Sequence, residues 1–455
     1  MKTTPTILLL GAGRSATYFI DYLAKVVQKN GWRFIIAENN ASIVYQKAMQ
    51  YPHLEVVQLN TSDTEQTFAW IKQTDVVVSL LPPSLHSSIA HMCLEAQRHL
   101  LTASYLPAEI QHLDSKVQEK GLLFLYEMGL DPGIDHLSAM QMIDKIKKQS
   151  GEILSFASFC GGLIAPEYIA GNPWGYKFTW NPQNVVLAGQ GGIAQYKEQN
   201  KVRYVPYQQL FKRIQPIYFE NLGEYEAYYN RNSLLYTKAY GLQNCSTIIR
   251  GTIRMKGFCE AWHALIQIGL TDHTLLIENV NQLTYRQFLE SFFPPSTLPW
   301  QERLAKYLDL PLNHPTIQKI LWLGLHEDEP IPLTQGTPAQ ILQTRLEQKW
   351  QLQPQDKDLI LMQHQITYKQ ENKQHQVIAE LMLKGENQVF TAMAKTVGLP
   401  LALAAELLLE NKIQTRGVKI PCFAEIYENI LPLLAKHGIE FQEKSLTKQR
   451  LSEID

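Results

Sequence analysis

A glycine-rich turn follows the first apolar run of the chain. The residues GAGRSA come after TILLL and before a segment with apolar residues at helical spacing. In such a turn the first glycine bends the chain and the second lets backbone N–H groups approach a pyrophosphate, whose charge the helix N-terminus favours. The pattern predicts a dinucleotide site, although a glycine turn can also be only a turn. The candidate contacts are Gly11, Gly13, Arg14, Ser15 and Ala16.

An acid stands at the end of the second predicted strand, WRFIIAE. The Glu38 carboxylate could accept both hydroxyls of an adenosine ribose and would repel a 2′-phosphate. The run ENNAS, which begins at Glu38, contains no arginine or lysine. NAD is therefore predicted in preference to NADP, and the alternative interpretation of Glu38 is a solvated surface acid.

Polar and turn-forming residues follow three later apolar runs, in DVVVSLLPPS, LLTASY and EMGLDPGIDH. A nicotinamide must lie beyond the carboxyl ends of the strands, so these residues should border it. Asp131 would offer a carboxylate there, whereas Asp135 is better interpreted as a cap of the following helix. The candidates are Ser79, Leu80, Leu81, Ser104, Tyr105, Leu130, Asp131 and Pro132.

These motifs need a sheet that brings them to one edge. In the first ~130 residues, strands without polar alternation each precede a helical pattern, which predicts an α/β, Rossmann-type doubly wound parallel sheet. Residues 150–245 favour a mixed sheet with strands at EILSFASFCGG and near KFTW. From Ile248 to about Glu347 short helical patterns dominate. An antiparallel pair, DLILMQHQITY with HQVIAELMLKG, then precedes one or two buried helices in FTAMAKTVGLPLALAAELLLENKI.

Composition bounds the class of protein. With 455 residues, 45% hydrophobic and 19% charged, a soluble protein of two or three domains is predicted. The 42 basic and 43 acidic side chains form no Lys/Arg tract, so nucleic-acid and membrane binding have no support, and no apolar run looks long enough to cross a bilayer. Five scattered cysteines predict neither a disulfide framework nor a metal site. With no leader-like segment before the glycine turn, a cytoplasmic location is expected.

Ten motifs together resemble one family. GAGRSA, VVVSLLPPSLH, TASY, EMGLDPGIDH, FCGGLIAPE, NPWGYKFTW, NRNSL, IIRGTIRMKGF, WLGL and AMAKTVGLP follow an order similar to that of glutamate-forming saccharopine dehydrogenase. The resemblance covers nearly the whole chain. It is closest to the saccharopine dehydrogenase half of the bifunctional lysine-degrading enzyme, which uses NAD, whereas the related fungal saccharopine reductases use NADP.

The resemblance implies three domains and a homodimer. The expected domains are a Rossmann domain (1–134 plus 390–430), an α/β substrate-binding and dimerisation domain (135–247 plus 348–389) and a helical subdomain (248–347). It also implies residue roles. Tyr105, Asp131 and Cys160 would act in catalysis. Substrate contacts would come from Ser104, Tyr105, Asp131, Arg231, Arg250, Thr252 and Arg254.

The chemistry agrees with these residue types. Saccharopine carries three carboxylates, which bidentate arginines recognise well, although any single arginine can equally form a surface ion pair. Oxidative cleavage to glutamate and 2-aminoadipate 6-semialdehyde needs repeated proton transfers, and substrate-assisted transfer stays open beside Asp131 and Tyr105. The chain departs from the family at Asn232 and Met255, where aspartate and tyrosine are usual. Rival interpretations are a carboxynorspermidine-type dehydrogenase that joins a semialdehyde to a diamine with NADPH, and a non-catalytic dinucleotide-binding sensor.

Overall fold

The computed structural model describes residues 4–446, which divide into two compact units. Within the described residues, unit 1 comprises 4–152 and 389–442, and unit 2 comprises 153–388 and 443–446. The division into three domains stays a prediction. The first strands and helices of unit 1 are β1 (Thr6–Leu10), α1 (Thr17–Asn30), β2 (Arg33–Glu38), α2 (Ala41–Gln50), β3 (Glu55–Gln58), α3 (Thr64–Lys72), β4 (Val76–Ser79), α4 (His86–Ala96), β5 (His99–Thr102), α5 (Ala108–Gln111), α6 (Asp114–Glu119), β6 (Leu123–Leu125) and α7 (Ile134–Lys148).

Unit 2 begins with a long strand and continues through sheet and helical parts. Its strands are β7 (Glu152–Ile164), β8 (Ala194–Glu198), β9 (Lys201–Val205), β10 (Ile214–Phe219), β11 (Gly223–Tyr229), β12 (Thr247–Met255), β13 (Ile277–Glu278), β14 (Gln335–Gly336), β15 (Asp358–Gln370) and β16 (Lys373–Lys384). Its helices are α8 (Pro182–Val186), α9 (Tyr207–Leu210), α10 (Phe258–Ile268), α11 (Tyr285–Glu290), α12 (Trp300–Leu308), α13 (Pro315–Trp322) and α14 (Pro338–Lys349).

The C-terminal part of the chain returns to unit 1 with helix α15 (Ala392–Leu409), strand β17 (Gly417–Lys419) and helix α16 (Ala424–Lys436), before β18 (Gln442–Leu446). Helix α15 is one continuous helix, where the sequence left one or two open. It is long and apolar enough to cross a membrane, which corrects the expectation that no run is. Because 78% of it is buried inside the protein, it has the character of a core helix.

The sheet of unit 1 is parallel throughout, as predicted. Among the described residues its order is β17-β6-β5-β4-β1-β2-β3, so the chain direction across the sheet reverses between β1 and β4. Apart from the edge strand β3, the strands are almost wholly buried because helices cover both faces. In doubly wound sheets such a reversal marks the crevice where ligands bind.

The main sheet of unit 2 is mixed. Its order is β10-β11-β12-β7-β15-β16-β18, with β8 attached to β12 and β9 attached to β8, and β15 pairs antiparallel with β16 as predicted. Two expectations were wrong. Residues 177–180, KFTW, form no strand, and residues 248–255 belong to strand β12 rather than to a helix. Phe178 instead donates its backbone N–H to the Trp350 carbonyl and packs in an aromatic core.

Helix α15 approaches the cofactor-side helix α1 through a glycine. A Cβ at Gly398 would lie 2.8 Å from the Phe19 backbone nitrogen and 3.0 Å from the Ser15 carbonyl oxygen. Backbone atoms of a packed helix cannot move aside cheaply, so any side chain here would separate the two helices.

We therefore expect Gly398→Val to lower the free energy of unfolding by about 1–3 kcal/mol and to weaken dinucleotide binding, because the turn at Ser15 must shift. Urea unfolding and titration with reduced nicotinamide dinucleotide measure the two effects. Gly191→Val, at an exposed position where an added Cβ meets nothing within 4 Å, is the control for loss of a glycine. Equal behaviour of the two variants in both measurements would contradict the prediction.

Candidate active site

The glycine turn lies where a dinucleotide site requires it. Strand β1 ends at Leu10, Gly11 follows with φ of 93°, and a 3-10 turn over Arg14–Ala16 leads into α1. A Cβ added at Gly13 would meet nothing within 4 Å, so the turn is open on that side. Ala16 is buried, which explains why a small residue occupies the third glycine position.

Glu38 is in contact with this turn. One carboxylate oxygen accepts the Ala12 backbone N–H at 2.7 Å, and the other accepts that of Asn40 at 3.0 Å. The acid at the end of β2 is therefore held beside the turn. Open space at Gly13, a helix N-terminus and an adjacent carboxylate together suit the pyrophosphate and ribose of a dinucleotide.

A buried histidine joins the carboxyl ends of two neighbouring strands. His86 Nδ1 lies 3.0 Å from the Ser79 hydroxyl, and His86 Nε2 lies 2.7 Å from the Ser104 hydroxyl. Burial lowers the pKa of His86 to about 4. The ring is neutral near pH 7, so one ring nitrogen donates and the other accepts. Sequence reasoning missed His86, although its position in VVVSLLPPSLH, seven residues after Ser79, was a usable signal.

Leu80 and Leu81 complete this edge. The Leu80 N–H donates to the Leu10 carbonyl, and a Cβ added at Gly11 would come within 3.1 Å of the Leu80 carbonyl oxygen and 3.5 Å of the Leu81 side chain. The predicted residues of the glycine turn and of β4 thus lie together.

The EMGLDPGIDH segment forms a compact buried loop. Gly133 has φ of 147° and sits so close to Gly129 that a Cβ would overlap the backbone of Gly129. Leu130 and Pro132 are buried, and the Asp131–Pro132 peptide is cis. The Tyr105 hydroxyl donates to Asp131 Oδ1 at 3.3 Å. The structure therefore brings together the two first-unit residues that the resemblance assigns to catalysis.

Asp135 lies in the first turn of α7 rather than at its N-cap, which Gly133 occupies. Its carboxylate accepts the Gly133 N–H at 2.6 Å. Asp135 was expected to cap this helix. Its carboxylate does bind a backbone N–H at the helix start, but from within the first turn and not from the N-cap position. The helix begins two residues earlier than expected, at Ile134, because the tight Gly129–Gly133 turn leads directly into it.

Three predicted substrate residues share one face of β12. Arg250, Thr252 and Arg254 alternate along the strand, so their side chains point to the same side. Cys160 of β7 pairs in register with Thr252 and therefore lies on that face too. Arg231, on an exposed loop, is tied to the same strand because the neighbouring Asn230 N–H donates to the Arg250 carbonyl.

The two buried arginines of β12 have aromatic neighbours. The Arg250 guanidinium lies 4.4 Å from the ring centre of Tyr236. Arg254 lies 5.2–5.5 Å from the rings of Tyr176, Phe258 and Tyr228. Arg254 Nε has no hydrogen-bond partner among the described residues. A buried cation of this kind favours an anion, because aromatic faces replace only part of its hydration.

Two family models together match nearly the whole chain. The saccharopine dehydrogenase NADP binding domain matches residues 7–125, and the saccharopine dehydrogenase C-terminal domain matches residues 129–439. The chain belongs to the saccharopine dehydrogenase family.

Similar proteins agree with this family. The alpha-aminoadipic semialdehyde synthase of Arabidopsis thaliana is 33% identical over 96% of this chain, and that of Rattus norvegicus is 31% identical over 98%. The chain spans about half the length of these relatives, 45% and 48%. The NADP(+)-linked, L-glutamate-forming saccharopine dehydrogenase of Schizosaccharomyces pombe is 29% identical over 98% of this chain and 100% of its own length.

Solved structures agree as well. L-Glu-forming saccharopine dehydrogenase of Saccharomyces cerevisiae matches with a TM-score of 0.87 and 28% identity, covering 97% of this chain and 100% of that chain. A homospermidine synthase from Legionella pneumophila matches with a TM-score of 0.56 and 10% identity, covering 98% and 92%, which shows a shared fold alone.

A second buried histidine makes the stability of unit 1 depend on pH. His99 Nδ1 accepts the Leu123 N–H at 2.9 Å, and burial, with Arg416 and Arg98 nearby, lowers the pKa of His99 to about 4. The unfolded chain binds a proton near pH 6.5 whereas the folded one does so only near 4. Stability is thus lost as pH falls through this window, by up to about 1.4 kcal/mol per pH unit for this histidine.

We expect His99→Asn to make the loss of stability between pH 6.5 and 4.5 shallower, because an amide oxygen can accept the same N–H without titrating. Urea unfolding across this range measures the slope. His91→Asn, at an exposed position on α4, should keep the slope of the wild type. A slope for His99→Asn as steep as that of the wild type would show that His99 does not control it.

Proposed function

We propose that this protein catalyses the NAD(P)-dependent oxidative cleavage of saccharopine to L-glutamate and 2-aminoadipate 6-semialdehyde. The likeness to an L-Glu-forming saccharopine dehydrogenase over the full length of both chains, with a TM-score of 0.87, carries the proposal. The hydrogen-bonded Tyr105–Asp131 pair at the carboxyl edge of the parallel sheet supports it.

NAD(P), which the glycine turn and Glu38 would hold, would supply the hydride acceptor for the lysine-side carbon next to the secondary amine. The amine must first lose its proton, since only its free lone pair can assist departure of the hydride. Water then adds to the resulting imine, and the carbinolamine collapses to aldehyde and amine. Each step needs a proton acceptor or donor at the same place.

Asp131 and Tyr105 suit these proton transfers. Asp131 offers a carboxylate only partly exposed to solvent, and the Tyr105 hydroxyl is its hydrogen-bond partner, so a proton can be held at either oxygen. Ser104, oriented by His86, supplies a neighbouring hydroxyl. Cys160 enters by the family resemblance and has no covalent role, because imine chemistry involves no acyl transfer.

In unit 2 the arginines suit a substrate with three carboxylates. Arg231, Arg250 and Arg254 bring three cations, and Thr252 adds a hydroxyl on the same face of β12 as two of them. A diamine substrate would instead favour acids in these places, so the polyamine-type activity is disfavoured.

Homodimerisation and a cytoplasmic location also belong to the proposal.

The same proposal includes a preference for NAD. The Glu38 carboxylate is held against the glycine turn, where a 2′-phosphate would meet a negative charge. The matching family model is described as NADP-binding, and the fungal relatives are named for NADP(+). The proposed preference for NAD over NADP therefore rests on the Glu38 side chain alone.

The deciding experiment mixes purified protein with saccharopine and either NAD or NADP, and follows reduced nicotinamide together with released glutamate. Glutamate in step with reduced cofactor supports the proposed reaction. Tight binding of NADH without turnover would indicate a sensor. Turnover only when a semialdehyde and a diamine are supplied with NADPH would indicate the polyamine-type activity.

We expect Asp131→Asn to lower kcat/KM for saccharopine at least tenfold, because an amide cannot accept the proton that the amine loses. Tyr105→Phe should lower kcat/KM less, since this substitution removes the hydrogen-bond partner of Asp131 but leaves the Asp131 carboxylate. The measurement is kcat/KM across pH with a fixed saturating cofactor. A wild-type profile for Asp131→Asn would remove Asp131 from the mechanism.

Glu38→Gln should raise the ratio of kcat/KM for NADP to that for NAD at least tenfold. Glutamine keeps an oxygen for the Ala12 N–H but loses the charge that repels a 2′-phosphate. Glu55→Gln changes another acid of the same sheet, on β3, and should leave the ratio unchanged. An unchanged ratio in Glu38→Gln would mean that Glu38 does not select the cofactor.

A further inference from the structure

One buried acid in unit 1 remains without a role in the reaction proposed above. Glu127 is 4% exposed and follows strand β6. One carboxylate oxygen accepts the Leu106 backbone N–H at 3.1 Å, and the other lies 2.8 Å from His136 Nε2. The Glu127 backbone N–H also donates to the Ser104 carbonyl at 3.0 Å. A single residue thus joins the segment after β5 to the first turn of α7.

The backbone of Glu127 is unusual. Its φ is 57°, in the left-handed region that non-glycine residues seldom occupy. Such a conformation persists only where the surroundings impose it, and it occurs preferentially at functional sites. Here the side-chain and backbone bonds of Glu127 are the interactions that impose it.

Burial of a carboxylate in this place is costly. A buried acid loses its hydration, and hydrogen bonds from a backbone N–H and an imidazole do no more than replace it. An apolar residue would fill the same space without that loss. The retained polar contacts therefore point to a requirement for geometry rather than for stability alone.

The two joined segments carry the two halves of the candidate catalytic pair. Tyr105 is adjacent to Leu106, whose N–H Glu127 binds, and Asp131 lies in the loop between Glu127 and His136. The Tyr105 hydroxyl and Asp131 Oδ1 meet at 3.3 Å. Movement of either segment changes that distance directly.

We propose that Glu127 is a positioning residue that sets the separation and alignment of the Tyr105 hydroxyl and the Asp131 carboxylate. The inference rests on the proposed function for its catalytic consequence, but the geometric role exists in the unliganded protein. His136 takes part in this positioning, because it holds the Glu127 carboxylate from the side of α7.

The test compares Glu127→Gln, Glu127→Asp and Glu127→Ala in the full chain. Glutamine can accept the Leu106 N–H through its carbonyl oxygen and donate its amide N–H to an unprotonated His136 Nε2, so kcat should stay within about threefold. Aspartate is one methylene shorter and cannot span both partners, so kcat should fall about tenfold, and alanine should lower it about a hundredfold. Affinity for reduced nicotinamide dinucleotide should stay within about twofold in all three. Glu119→Ala, at an exposed acid of α6, is the control.

A double-mutant cycle with Tyr105→Phe separates positioning from general structural damage. If Glu127 acts through Tyr105 and Asp131, the Asp or Ala substitution should cost much less once the tyrosine hydroxyl is gone. The same loss in both backgrounds, or full kcat in Glu127→Asp, would overturn the proposal. If Glu127→Ala does not fold, Glu127→Asp alone decides.

A second readout does not depend on turnover. The 19F resonance of 3-fluorotyrosine in place of Tyr105 should shift in Glu127→Asp and stay in place in Glu127→Gln, because only the former changes the hydrogen bond to Asp131. A wild-type protein inactive on saccharopine would end the proposed function while leaving this outcome intact. An unmoved resonance in Glu127→Asp would end the positioning role.

Discussion

The parallel pairing of β1 with both β2 and β4 is the constraint on which unit 1 depends. Leu10 pairs in register with Ala37 on one side and with Ser79 on the other, so three strands end at one level. The chain order reverses at this point, and the segments that leave the sheet diverge. Each first-unit candidate residue lies at or after the carboxyl end of one of these strands or of a neighbour, which is why they lie together.

At that edge the backbone groups no longer have a strand partner, and side chains replace the ladder bonds. Glu38 binds the N–H of Ala12, and Glu127 binds that of Leu106. The neutral His86 bridges the Ser79 and Ser104 hydroxyls. A buried polar group without a partner is costly, so these bonds give the loops a single arrangement. The polar residues of the site thus shape the site as well as acting in it.

Unit 2 reaches its candidate site by a different physical route. The alternation of a β-strand places Arg250, Thr252 and Arg254 on one face, and the parallel register with β7 adds Cys160. A core of aromatic side chains, including Trp174, Trp262 and Trp350, supports the strands and helices around them. Both arginines pack against aromatic rings, and Arg254 also donates to the Ile253 carbonyl and the Tyr228 hydroxyl.

Sequence patterns alone determined the parallel sheet, the glycine turn, the acid ending β2 and the β15–β16 pair, since these depend on local periodicity and short spacings. Periodicity misassigned KFTW, because burial among aromatic residues overrides local preference, and residues 248–255, because pairing with β7 and β11 decides their conformation. The spacing of His86 from Ser79 was a usable signal, but the contact of His86 with Ser104 and the contacts of Glu127 were not predictable. They join residues on separate loops, and only the folded chain decides which loop N–H or hydroxyl comes within hydrogen-bond distance.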